Sequence, residues 1–277
     1  MRKALVAVGL LALIILVLCA VMVRNADAAP VQRDLTVELD GLPQGTRPLK
    51  LVLMSDFHVG NFGNTPERFR ETARRVTALQ PDVILLGGDF VSTRMPGGSP
   101  VGRFLGALDQ MKARLGIFAV LGDHDYGQRS LSTRALLEHG VLLRNNKAAR
   151  AGPLAIVGIG DAHSGAALVP FALRRGRDIG GVPVVFTHSP DVVPQLPPDI
   201  ELVLAGHTHC GQVVLPFLGA LETSSRYGRR YACGVIREGK RTTIVTSGLG
   251  VSRLPFRFGA PPDFWVITIV PRQSGRG

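Results

Sequence analysis

Short apolar runs, each ending abruptly in glycine, aspartate or histidine, recur along this chain and limit its fold more than any other feature. Residues 51–54 lead into Ser55-Asp56, residues 83–86 into Gly87-Gly88-Asp89, and residues 117–121 into Gly122-Asp123-His124-Asp125. Runs so short and so apolar are buried strands. Residues 66–79 set Phe69, Val76 and Leu79 among charged side chains, with Thr65 and Pro66 as a helix start. Residues 101–113 and 131–139 are expected to be helical as well. Strands alternating with helices imply a largely parallel sheet. Further runs at 155–159, 182–186, 202–204, 242–245 and 264–269 read as strands and imply a second sheet packed on the first. No long Ser/Gly linker, low-complexity tract or internal repeat interrupts the pattern. A single α/β domain over 48–272 is expected, with 24–47 as a linker and lead-in and 273–277 as a tail.

Behind a three-residue N-terminal tail, residues 4–23 form an apolar run without a charge, flanked by Arg2 and Lys3 before it and Arg24 after it. Twenty helical residues span about 30 Å, the thickness of a bilayer core. A secretory signal carries a shorter apolar stretch, about 7–15 residues. A retained single-pass transmembrane helix is therefore expected. Ala26-Asp27-Ala28 looks like a cleavage site and keeps a cleaved signal as the alternative. Arg2, Lys3 and the terminal amine place the N-terminus in the cytoplasm and the domain outside it, against an opposing pull from Arg24 and Arg33.

The formal net charge of +11 attracts polyanions such as anionic lipid, phosphorylated small molecules or nucleic acid. The arginines are scattered in pairs (Arg74-Arg75, Arg174-Arg175, Arg229-Arg230), and aromatics are too few for a base-stacking platform. No nucleic-acid partner is expected. Cys19, Cys210 and Cys233 are too few for a disulfide framework, although Cys210 and Cys233 could pair.

The chemistry lies where the apolar runs stop. Asp56 and His58, Asp89, Asp123 and His124, His188, and His207 and His209 all follow such runs. In open α/β sheets, sites form beyond the carboxyl ends of the strands, where loops bring distant residues to one point. In an extended backbone, alternate side chains share a face, so Asp56 with His58, and His207 with His209, could each face one cation. Taken singly, each of these is more simply a turn aspartate, a helix cap or a solvated histidine. Taken together they are not: of the seven histidines, only His139 and His163 lie away from these strand ends.

In order, Asp56-x-His58, Gly88-Asp89, Gly122-Asp123-His124-Asp125, His188 and Gly206-His207-x-His209 resemble the five signature blocks of the calcineurin-like metallophosphoesterase superfamily. The neighbouring texture (86–89, 205–212 and 247–250) is similar to a membrane-associated bacterial branch of phosphodiesterases that includes UDP-2,3-diacylglucosamine pyrophosphatases. The resemblance implies a four-layer α/β/β/α sandwich with two mixed sheets. It implies that Asp56, His58 and His209 hold one divalent metal ion, that Asp123, His188 and His207 hold a second, and that Asp89 bridges them. Mixed carboxylate and imidazole ligation suits Mn²⁺, Fe or Zn²⁺. Two metals about 3.5–4 Å apart clamp a hydroxide and the phosphoryl oxygens of an in-line attack. His124 would protonate the leaving group or stabilise the transition state, and its neighbour Asp125 would orient its imidazole.

One block departs from the pattern: the superfamily has Asn where this chain has Asp123. An ionised Asp adds charge and removes an N–H donor. Three carboxylates and a hydroxide neutralise two divalent ions, which disfavours a phosphate dianion and points to a monoanionic phosphodiester or a pyrophosphate. Residues 215–218 and 253–258 join apolar groups to nearby basic ones, Arg226 and Arg229 included, with Arg226 and Arg253 as candidate substrate contacts. With the apolar helix and the net charge, they suit a lipid headgroup. A nucleotide-linked lipid would be cytoplasmic, so a domain outside would meet an envelope phosphodiester instead. The rival from another class is a non-catalytic, membrane-anchored binding protein on the same fold, whose mark would be missing ligands. A membrane protein with an incidental histidine cluster is a further rival, and it would bind no metal.

Overall fold

The computed structural model describes residues 1–61, 64–92, 106–252 and 254–273. It begins with α1 (Arg2–Ala26), β1 (Val31–Leu39), β2 (Leu49–Met54), α2 (Pro66–Ala78), β3 (Val83–Leu86) and β4 (Ile117–Ala119). Then come α3 (Arg129–Glu138), β5 (Leu142–Leu143), β6 (Lys147–Ala151), β7 (Leu154–Ile159), α4 (Val169–Ile179), β8 (Val182–Thr187) and β9 (Leu202–Ala205). The chain closes with β10 (Val214–Leu215), β11 (Gly219–Ala220), β12 (Gly234–Glu238), β13 (Arg241–Val245) and β14 (Asp263–Pro271).

Two six-stranded mixed sheets form, in the orders β1-β14-β2-β3-β4-β5 and β12-β13-β9-β8-β7-β6. Period-two alternation decides which residues each core receives. Leu51, Leu53, Val83, Leu85, Trp265 and Ile267 face the second sheet, where they meet Ile156, Val184, Phe186, Leu202, Leu204 and Ile244. Their neighbours Val52, Met54, Ile84 and Leu86 point outward onto Phe69, Ala73 and Val76 of α2 and Leu136 of α3. Val157, Val185 and Val203 do the same on the second sheet, against Val169, Ala172 and Leu173 of α4. Three cores between four layers make the α/β/β/α sandwich.

Helix α2 starts where the sequence puts it: the Thr65 hydroxyl accepts the Arg68 amide, and Pro66 occupies the first turn. Other elements differ from expectation. The lead-in is structural, because residues 31–39 form β1, paired in parallel with β14 along its whole length. Of the helix expected over 101–113, residues 106–110 form a 3₁₀ turn instead of α-helix, and 101–105 lie outside the described residues. The first sheet is closed by β14 from the far end of the chain, which runs antiparallel to β2. Non-local pairing of this kind leaves no mark on a short apolar run.

Candidate metal centre

The loops after β2, β3, β4, β8 and β9 converge at one end of the sandwich. Backbone hydrogen bonds continue the sheets into these loops: Asp56 N–H to Gly88 O (2.9 Å), His58 N–H to Asp89 O (2.9 Å) and Gly206 N–H to His188 O (2.9 Å). The two sheets meet where the His207 amide donates to both oxygens of Asp56, at 3.1 Å each. Gly206 is required there, since a Cβ would strike the Asp56 carboxylate and the Ser55 side chain. Gly88 (φ +96°) is required as well, since a Cβ would strike the Gly122 backbone.

The backbone is not extended at the paired ligands. Asp56 (φ 56°), His58 (44°), Asp89 (52°), His207 (69°) and His209 (48°) all sit in the left-handed region. Each such non-glycine residue costs about 1–3 kcal/mol and persists only where its surroundings over-determine it. Extended alternation is therefore not what aims these side chains. Tight turns at the strand ends do it, pinned by the bonds just described.

Two clusters result, each with its ligand atoms within 4.8 Å of one another: Asp56, His58 and His209 in one, and Asp123, His188 and His207 in the other. In the first, His58 Nε2 lies 3.0 Å from His209 Nε2, which is 3.4 Å from Asp56 Oδ1. In the second, Asp123 Oδ1 lies 3.2 Å from both His188 Nε2 and His207 Nδ1, and these nitrogens are 3.2 Å apart. Asp89 stands between the clusters. Its Oδ2 is 3.4 Å from His58 Nε2 and 3.4 Å from His188 Nε2. Its Oδ1 accepts the His124 amide at 3.0 Å.

The donor chemistry fits metal ions. His188 Nδ1 lies 2.8 Å from Gly87 O and His207 Nε2 lies 3.1 Å from Ser224 O, contacts that require an N–H on each outer nitrogen. Neutral rings so fixed turn bare lone pairs toward each other and toward a carboxylate oxygen. Three acceptors facing one point repel unless a cation or a proton lies among them. The side chains concerned are buried, apart from Asp123 and His124, which are about one-fifth exposed (20% and 21%).

Electrostatics follow from that burial. Burial pushes Asp56 up to about 6 and His58 down to about 4. Burial, His58 and the Arg257 guanidinium together hold His209 well below the usual imidazole value. His188 goes the other way: burial lowers it, but the Asp89 and Asp123 carboxylates outweigh burial and raise it well above the usual value. His207 is raised too, with Asp123 outweighing its burial. Asp123 is held far below the carboxylate range by His188 and His207 despite its burial.

The remaining candidates fall in different places. His124 stacks edge-on against His58, with ring centroids 4.8 Å apart, and its Nε2 is 3.8 Å from Asp123 Oδ2. Asp125 does not reach the His124 imidazole. It is fully buried, and its carboxylate accepts the amides of Phe90 (3.0 Å), Val91 (3.3 Å) and Gly122 (2.9 Å). It ties the two Gly-Asp loops together, so the orienting role inferred from adjacency is replaced by a scaffolding one. Side chains at consecutive positions point apart here, which sequence adjacency cannot show. Arg226 is exposed on the loop whose Ser224 carbonyl accepts from His207, and its own amide donates to Asp191 (3.0 Å). Arg253 lies outside the described residues.

Two residues were not legible from the strand ends. His163 is exposed, four residues after the end of β7, with its ring 5.2 Å from that of His207. Arg257 is completely buried. Its guanidinium donates to the carbonyls of Ser247 (2.7 Å), Gly250 (2.5 Å) and Ala260 (2.8 Å) and faces His209 Nδ1 at 3.3 Å. A lone arginine in a loop gives no sequence signal of such burial. Cys210, next to His209, is joined to Cys233 by a disulfide.

A sandwich of this architecture, with carboxylates and imidazoles gathered into two clusters about a shared aspartate, places the chain among metal-binding α/β proteins. The sequence model of the calcineurin-like phosphoesterase family matches residues 49–211, more than half of the chain, and the chain belongs to that family. Members of the family are metal-dependent phosphoesterases. The chain is 29% identical over 289 residues to a "Transmembrane protein with metallophosphoesterase domain" of Danio rerio, with 95% of this chain and 62% of that protein covered. It is 28% identical to the uncharacterized metallophosphoesterase YkuE of Bacillus subtilis strain 168, covering 84% of this chain and 83% of that one. YkoQ of the same organism is 28% identical, with 87% and 90% covered. The chain thus spans less than two thirds of the Danio rerio relative but most of the two bacterial ones.

Proposed function

We propose that this protein hydrolyses phosphodiester or pyrophosphate bonds with two divalent metal ions. Asp56, His58 and His209 would hold one, Asp123, His188 and His207 the other, and Asp89 would contact both. When bound, the metals supply Lewis acidity and a hydroxide at neutral pH. The observation that carries this reading is Asp89 Oδ2, equidistant at 3.4 Å from one imidazole of each cluster. A single carboxylate oxygen so placed suits a shared ligand. Around it, the Gly87 and Ser224 carbonyls hold His188 and His207 in the tautomer that a metal needs. His124, at the open edge and free of strong ties through its ring, is placed to give a proton to the leaving oxygen. The complete ligand set argues against a non-catalytic binding protein.

Asp123 supports the preference for a monoanionic centre. Its carboxylate adds a negative charge at the partly exposed side of the site, where a phosphate dianion would meet it. The metal identity is open among Mn²⁺, Fe and Zn²⁺. Helix α1 is long and apolar enough to cross a membrane, and its central window is unburied, which supports an anchor. The Cys210–Cys233 disulfide supports a domain outside the cytoplasm, since such bonds persist in oxidising compartments. An envelope lipid diester is the substrate class these features favour. The test is hydrolysis of bis-p-nitrophenyl phosphate by purified protein with Mn²⁺, Fe²⁺ or Zn²⁺. Chelator-sensitive turnover is expected, and metal-loaded protein without turnover would overturn the reading.

A further inference from the structure

The apolar helix does not merely precede the domain; its last turns are packed on it. Met22 and Val23 are half-buried and Ala26 is buried. The Met22 carbonyl accepts the Arg257 amide at 3.0 Å, and Arg68 donates to the carbonyls of Ala26 (3.2 Å) and Ala28 (2.7 Å). Met22 belongs to the uncharged run 4–23. The segment holding Arg257 therefore meets the helix at a level inside its apolar stretch, about 6 Å below Ala26 at 1.5 Å per residue.

That segment is joined to a hairpin. Val214 N–H donates to Phe258 O (2.7 Å), Phe258 N–H donates to Gln212 O (2.9 Å), and the Ser252 amide donates to Gln212 Oε1 (2.7 Å). Strands β10 and β11 rise from this root, and their tip carries Pro216, Phe217 and Leu218. Phe217 is fully exposed, Leu218 is 60% exposed, Leu221 just after β11 is 61% exposed, and Leu254, whose carbonyl lies 3.5 Å from Gln212 Nε2 at the root, is 57% exposed. Large apolar side chains exposed at and around a loop tip mark a contact surface. Its base is cationic: Arg229 Nε donates to Ala220 O of β11, and the residue is exposed. An apolar tip over a basic base is the pattern of an interfacial membrane contact.

We propose that Phe217, Leu218, Leu221 and Leu254 enter the interface of the same bilayer that α1 spans, with Arg229 at headgroup depth. The hairpin begins five residues after His209, so the rim of the metal cleft beside it would lie against lipid headgroups. This rests on reading α1 as a membrane anchor, and it narrows the substrate to a diester presented at the bilayer surface. Continuity with α1 selects the bilayer as the occupant over a soluble partner.

The test uses the full chain in vesicles of phosphatidylcholine and phosphatidylglycerol brominated in the acyl chains. Trp265 is the single tryptophan and lies buried, so Trp265→Phe gives a silent background. Into it go Phe217→Trp, Leu254→Trp and, as control, Leu142→Trp on β5 at the opposite edge of the first sheet from β1. At least threefold stronger quenching of the tryptophans at 217 and 254 than of that at 142 is expected, with circular dichroism confirming that each variant is folded. Equal quenching at the three positions would overturn the proposal, as would failure of the full chain to float with vesicles. Neither result touches hydrolysis of the soluble diester, so the surface and the activity stand or fall separately.

Discussion

His188 and His207 each hand an outer N–H to a backbone carbonyl, whereas His58 and His209 do not. His58 Nδ1 is buried with no partner among the described residues, and His209 Nδ1 faces the Arg257 guanidinium. The Asp123 cluster is also partly open to solvent, while the Asp56 cluster is closed. The same residue types thus form two unlike halves. In one, Asp123 and Asp89 raise the proton affinity of the imidazoles. In the other, burial lowers it. Oriented outer bonds raise the basicity of a ligand, so the Asp123 half is the better prepared for a metal but the more exposed to competition from protons.

The largest effect should come from the residue that the halves share. Asp89→Ala removes the oxygen facing both clusters, and about a thousandfold or greater loss of diester hydrolysis is expected, a barrier increase of about 4 kcal/mol. Metal analysis should show both sites depleted. If one metal stays bound in full, Asp89 belongs to a single half.

Arg257→Met separates the halves. It strips the Ser247, Gly250 and Ala260 carbonyls of their buried donor, which costs about 3 kcal/mol of stability. For a domain of this size that is a fall in Tm of about 6–12 °C by calorimetry. The Asp56 half should lose metal first, because Arg257 holds the 247–250 loop, whose Leu249 and Gly250 amides donate to the carbonyls of Ser55 and Asp56. Equal loss from both halves would sink the assignment of Arg257 to one of them.

Acidity should separate them too. His188 and His207 are raised without metal, so metal uptake in the Asp123 half must expel protons that begin to bind above the ordinary imidazole value. In the Asp56 half, His58 is neutral down to about 4, and competition begins only as Asp56 protonates near 6. As pH falls from 8, the metal near Asp123 should be released first, as followed by metal-sensitive spectroscopy on the cobalt-loaded protein.

The same shifts set the stability of chelated protein. Imidazoles raised in the folded state stabilise it below the unfolded value of about 6.5, and that gain is lost as pH rises through their folded values. Raised carboxyls act in the same direction at lower pH: the contributions of Asp56 and of Asp125, which burial and Asp89 push up to about 7, fade between about 4 and 7. His58 and His209, lowered by burial, act the other way below about 6.5, so the comparison is made above that value: chelated protein should melt at a lower temperature at pH 9 than at pH 7, and metal should reduce the difference.

The smallest effect should be one of preference. Asp123→Asn keeps a carbonyl ligand, restores an N–H donor and removes one charge. Metal content should stay intact, while monoester hydrolysis rises several-fold relative to diester hydrolysis. An unchanged ratio would remove the argument from charge.

Much of this was legible in order along the chain. Burial on both faces makes β2, β3, β8 and β9 read as unbroken apolar runs, and the ligands follow because a strand end is where a polar side chain can leave the core. The Thr65-Pro66 start of α2 was readable because a helix cap is a local event. Other features were not local. β1 was hidden as a lead-in because its faces are mostly solvated, and only pairing with β14 makes it part of a sheet. Asp125 could not be told from a partner of His124, since the direction of a side chain depends on the turn that carries it.

Residue chemistry alone determined that this protein gathers aspartates and histidines for metal ions and that an apolar helix leads the chain. Tertiary structure alone decided how: left-handed turns rather than extended backbone aim the ligands, a buried arginine backs one half, and the end of α1 is fastened to the loop beside the cleft. The physical reason is range. Burial and ligand type are properties of single side chains and short runs, whereas aim, support and fastening come from hydrogen bonds between segments as far apart as Met22 and Arg257.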